Sequence, residues 1–114
     1  MKKLVIKTKA GKNRVANIIA KEIRGAVSFF SDAPTVKVKE TCDMYTTISI
    51  YNEHSHMLTF CEIDEVRHAV DQYKNKYEYG TIGYTMQTKP YLSQDGRYFL
   101  HMPVMEISVC NKNL

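Results

Sequence analysis

Between residues 14 and 51 the hydrophobic period changes once, and the two periods bound what the chain can build. In "RVANIIAKEIRGAVSFF" (14–30), Val15, Ile19, Ile23, Ala26, Val27 and Phe30 recur at helical spacing. In "TVKVKE" (35–40) and "TTISIY" (46–51) the period is two. Val36 and Val38 oppose Lys37 and Lys39, and Ile48 and Ile50 oppose Thr47, Ser49 and Tyr51. A one-sided helix beside one-sided strands implies helices packed on one face of a sheet. "SDAP" (31–34) divides the two regimes, because a residue before proline is pushed out of the helical region.

The remaining elements follow the same signals. "KKLVIKTK" (2–9) reads as a first strand, broken by Gly11 and Asn13. "HMLTFCEI" (56–63) is apolar on both faces and reads as a central strand, joined to 46–51 by a hairpin turn at 52–55. Asp64 then serves as N-cap of a second helix running to about Tyr77, with Val66, Ala69, Val70, Tyr73 and Tyr77 as its buried stripe and Gly80 as its stop. Residues 81–92 and 97–109 flank "SQDG", a strong hairpin signal. Pro90 and Pro103 in that hairpin call for bulges or edge positions. Residues 110–114 read as a frayed tail. The expected fold is therefore α+β, mainly antiparallel, in the order β-α-β-β-β-α-β-β, with two helices packed on one face. All 114 residues are expected to form a single domain.

The helix–three strands–helix order at 14–77 is similar to the core of the double-stranded-RNA-binding domain. In that family the last helix opens with basic residues that grip phosphate. Here it opens with Asp64 and Glu65, so the resemblance is one of topology and implies no shared function.

Composition narrows the function. The 44% hydrophobic and 25% charged fractions are those of a globular protein. No apolar run approaches the length of a membrane span or a secretory signal, so a cytoplasmic protein with no membrane contact is expected. Lysine outnumbers arginine twelve to four, and Asn, Ile and Tyr are frequent, as in an AT-rich, low-GC bacterium or its phages. The net charge of +4 conceals a division: residues 1–40 carry ten basic and three acidic side chains, and the rest carry six and nine. Such an imbalance points to an anionic partner for one surface.

Two basic surfaces compete. One is a helix stripe of Arg14, Asn17, Lys21 and Arg24, with Lys12 at its start near exposed N–H groups, where phosphate binds readily. The other is a sheet face carrying Lys3, Lys7, Lys9, Lys37 and Lys39 with Tyr51, where lysines could track phosphates and rings could stack on bases. If both helices cover the non-lysine face, these surfaces lie on opposite sides.

Catalytic signals are weak. "NEHSHMLTFCEIDEVRHAV" (52–70) holds His54, His56, Cys61 and His68, but strand parity separates Cys61 from His56, and the helical wheel turns His68 to solvent. No GxSxG, Cys/His or P-loop signature occurs, and Cys42, Cys61 and Cys110 lack metal spacing. No catalytic residue, metal or cofactor is expected. The leading expectation is a non-enzymatic binding protein for nucleic acid or for an acidic or nucleic-acid-handling protein. The first alternative is a protein–protein module, for example a phage-encoded inhibitor of a host protein, with a homodimer formed through the C-terminal hairpin. The second is a metal-dependent enzyme using the histidine-rich hairpin.

Overall fold

The computed structural model describes residues 2–112. The fold is α+β, with a four-stranded antiparallel sheet and two helices in the order α1 (Lys9–Val27), β1 (Thr35–Glu40), β2 (Tyr45–Tyr51), α2 (Phe60–Lys74), β3 (Ile82–Leu92) and β4 (Phe99–Cys110). The strands lie in the order β1-β2-β4-β3. Both helices cover the face that carries Val36, Ile48, Ile50, Ile82, Met105, Ile107 and Val109. Ile19 and Ile23 of α1 and Val70 of α2 are wholly buried against it. At about 1.5–3 kcal/mol for each large aliphatic side chain, this shared core is what holds the layers together. Tyr84 adds a polar tie: its hydroxyl donates to Asp71 Oδ1 at 2.6 Å. Burial, with that bond and the Asp71 charge, holds the phenol above its ordinary pKa.

Three expected elements are corrected. Residues 2–7 form no strand of the sheet. Leu4 makes a single parallel bridge to Tyr77, and Ile6 O receives Lys112 N at 2.8 Å. The backbone of this segment is instead bonded to Lys76, Glu78 and Lys112, and helix α1 begins early because Thr8 caps it. Thr8 Oγ1 accepts from Gly11 N at 2.9 Å. Gly11 permits this cap, since a Cβ there would lie 2.9 Å from the Thr8 hydroxyl.

The expected central strand 56–63 does not exist either. Thr59 and Glu62 form a capping box: Glu62 N donates to Thr59 Oγ1 at 3.1 Å and Thr59 N to Glu62 Oε1 at 2.8 Å. This T-x-x-E signature starts α2 at Phe60, so Asp64 is no cap. The turn after Asn52 therefore joins β2 to α2 rather than two strands, and the likeness to the double-stranded-RNA-binding core loses its third strand. The expected frayed tail is held as far as Lys112, and residues 113–114 lie outside the described residues.

The central place is taken by β4, which pairs with β2 from Met105 to Cys110 and with β3 along its whole length. The β3–β4 ladder continues to Leu92↔Phe99 after β2 has ended. It thereby forms a two-stranded arm about 20 Å long at ordinary strand rise, and the chain extends 52 × 28 × 18 Å. Ser93 N bonds Tyr98 O, and Cys110 N bonds Thr81 O. By antiparallel alternation, even-numbered β4 residues bond β3 and odd-numbered ones face away. Pro103 thus turns its missing N–H toward the side where β2 has ended, and Pro90 turns its own toward the outer edge of β3. Both prolines occupy edge positions.

The N-terminus of α1 is fastened to the β1–β2 hairpin by a buried ammonium. Lys12 is 0% exposed. Its Nζ donates to Thr46 Oγ1 (2.8 Å), Asn13 Oδ1 (3.1 Å), Glu40 Oε2 (3.1 Å) and Cys42 O (3.3 Å). Asn13 Nδ2 also donates to Glu40 Oε2 at 2.7 Å. The bond from Asn13, then those from Lys12 and Lys9, lower the Glu40 carboxyl pKa from 4.5 to about 2.

Two outcomes follow for stability. Lys12→Ala opens a cavity and removes the one donor that joins Asn13, Glu40, Cys42 O and Thr46, and urea unfolding is expected to show a loss of about 2–4 kcal/mol, whereas Lys12→Met, which keeps the stem, loses less. Glu40 has a depressed folded pKa, so its contribution is fully present above pH 4.5 and is lost as pH falls through about 2. Urea melts across pH 2–5 are expected to show this decline and Glu40→Gln to flatten it.

Candidate anion-binding groove on the open sheet face

Strand parity that sends valines and isoleucines to the helices sends the polar partners outward. The register aligns Lys37 with Ser49, Ser49 with Glu106, and Glu106 with Thr85 across the four strands. Lys39 lies opposite Thr47, and Lys89 opposite Met102. Of these, Lys37, Lys39, Ser49, Lys89 and Glu106 line, with Tyr51, Gln87 and Val104, an open groove of about 500 Å³ on the uncovered face.

At its centre stands Tyr51, only 3% exposed and packed with Met102, Val104 and Tyr91. Lys89 Nζ lies 4.4 Å and Lys37 Nζ 5.8 Å from its ring centroid. Cations are drawn to the electron-rich ring face, so one aromatic draws in lysines from the two outermost strands. The neighbouring Tyr51 hydroxyl raises the Lys37 pKa, yet among the described residues no group meets that hydroxyl in hydrogen-bond geometry. Glu106 is the one carboxylate lining the groove, and Ser49 Oγ approaches it at a weak 3.5 Å. Three lysines against one glutamate leave the groove positive.

The residues expected from sequence are redistributed. Lys12 is enclosed, so it is removed from the candidate anion contacts; burial of an ammonium demands internal acceptors, and it has four. On the helix stripe, Asn17 Nδ2 donates to Asn13 O at 2.8 Å and Arg24 Nη2 to Val36 O at 2.9 Å. Arg14 and Lys21 are exposed. Lys21 borders a groove between α1 and α2 of about 630 Å³, which also holds Glu22, Glu65 and His68 and so has no single sign.

Of the sheet set, Lys37, Lys39 and Tyr51 share the open face. Lys3, Lys7 and Lys9 do not, because the strand meant to carry them is absent. Lys3 Nζ donates to Asn75 O. Lys9 pairs with Glu40 at 3.2 Å and Asp43 at 3.3 Å, bonds that raise its pKa. Lys7 is exposed outside the sheet. Lys89 was missed from sequence, although the Asp95-Gly96 turn fixes the β3–β4 register, and parity along β3 could have placed it. Tyr51 is too buried to offer its ring to a base, so the stacking role expected of it is withdrawn.

The histidines disperse. Asn52 Oδ1 accepts from His54 N and Ser55 N, both at 2.9 Å, and this turn leaves His54 exposed. His56, at φ 58°, stacks on Tyr91 with centroids 3.7 Å apart. His68 and Cys61 are exposed on α2. Among the described residues no three His, Cys, Asp or Glu side chains gather to hold a metal ion, and no helix is long and apolar enough to cross a membrane.

No protein-family model, curated protein or solved structure matches the chain. The groove is therefore read from its own geometry. Tyr51→Phe removes a buried hydroxyl without a partner while keeping the ring between the lysines. Its thermal midpoint is expected to be unchanged or to rise, equivalent to up to about 1 kcal/mol, in a calorimetric comparison with the parent.

Proposed function

We propose that the protein binds a polyanionic partner, single-stranded nucleic acid in the first instance, along the open face of its sheet. The observation that carries this reading is the convergence of Lys37, Lys39 and Lys89 on one groove from its opposite margins. Ammonium groups are compact point charges that neutralise phosphates without fixing orientation. With Tyr51 covered, there is neither a stacking platform at the centre nor a planar guanidinium to read base edges. The recognition proposed is thus of backbone charge, indifferent to sequence. The helix stripe is the weaker surface, because Lys12 is enclosed, Arg24 is engaged by Val36 O, and Lys21 stands among acids.

Fluorescence anisotropy of a labelled single-stranded oligonucleotide over a salt series tests this. Three neutralised phosphates predict a log–log slope of about −2. Lys37→Glu/Lys89→Glu is expected to weaken binding by about tenfold or more and to flatten the slope, whereas Arg14→Glu/Lys21→Glu leaves both nearly unchanged. Absence of binding at low salt, or indifference to the groove pair, would sink the proposal.

A further inference from the structure

The arm formed by the ends of β3 and β4 carries apolar surface that nothing in the fold covers. Phe99 is 71%, Tyr98 63% and Leu92 57% exposed, and Met86 and Leu100 are also open. Leu92 and Phe99 are cross-strand partners, and Tyr91 pairs with Leu100 one step inward. A two-stranded ribbon is marginal in water without something packed on it. Inside the body the sheet has helices on one face, and Tyr51 with the His56–Tyr91 stack supports the arm's base. The outer turns have no such support.

We propose that a second copy of this chain packs on the arm, arm against arm, in a closed dimer. Charge favours that occupant. Residues 86–103 carry only Lys89, Asp95 and Arg97, a net +1 in a protein of net +4, so two copies meet there with little repulsion. Asp95 and Arg97 are two residues apart at the tip, and opposite charges so close become mutually complementary across a two-fold axis. Parity places Met86, Leu92 and Phe99 on one face of the ribbon, together with Pro90 and Pro103, and Tyr98 and Leu100 on the other. The first face is the contact proposed, and its three open side chains present roughly 350 Å² per copy, the size of a small interface that forms with rising concentration. Pro90 and Pro103 interrupt the outer strand edges, which disfavours unlimited strand addition and leaves the side-chain faces as the contact. This inference is independent of the groove and its ligand.

Sedimentation velocity of the intact protein over the micromolar range tests it. The parent is expected to pass from monomer to dimer with rising concentration. Phe99→Glu should weaken the dimer by about tenfold or more. Leu92→Lys/Phe99→Glu should do the same while placing an attractive ion pair across the hairpin, so that the arm itself persists; circular dichroism verifies the fold. A parent that stays monomeric throughout, assembly beyond a dimer, or a double variant that associates as tightly as the parent would overturn the proposal.

Discussion

The enclosed ammonium of Lys12 is the constraint around which the fold is organised. A lysine with no exposure survives only where its protons are all received, and here acceptors come from α1, β1, β2 and the loop between the strands. Satisfying it fixes the start of α1 against the β1–β2 hairpin. That contact places the apolar stripe of the helix over Ile48 and Ile50, and it spends Glu40 and Asn13 on internal work. An apolar residue would fill the volume without demanding any particular neighbour. The ammonium must place three protons, finds four acceptors only in this arrangement, and thereby selects one docking of helix on hairpin.

The same requirement redistributes the charge of the N-terminal region. Ten basic residues in the first forty suggest one continuous positive surface, yet Lys9 and Lys12 are neutralised by Glu40 and Asp43 within that end of the molecule. Arg24 is spent on a strand carbonyl. The positive groove that remains draws two lysines from β1 and a third from β3, about fifty residues later in sequence. Its location owes more to the antiparallel register around Tyr51 than to local charge density.

Elements with a single dominant signal were legible in the sequence. The stripe of α1, the alternation in β1 and β2 and the Asp-Gly hairpin each leave one low-energy solution, and the prolines of the hairpin occupy edges as their missing N–H requires. Residues 56–63 failed because two signals overlap there. An apolar run on both faces suits a buried strand, but the Thr59–Glu62 box satisfies two helix-end donors at once. Reading that box first would have moved the start of α2 and removed the false strand. Residues 2–9 failed for a different reason: their backbone bonds Lys76 and Glu78, just after α2, and Lys112 rather than a sheet strand, and of their apolar side chains Ile6 joins the main core while Leu4 stays exposed.

By itself the sequence determined the α+β class and the faces that β1 and β2 turn to the helices, because these follow from side-chain period within a few residues. Only the tertiary structure decided which lysines are enclosed, which are paired and which stand open over Tyr51. It also decided that β4 rather than residues 56–63 occupies the middle of the sheet and that the β3–β4 hairpin outruns its neighbours. The physical reason is common to all of these. Burial, ion pairing and strand order depend on groups brought together from distant parts of the chain, and no local period records who their neighbours will be.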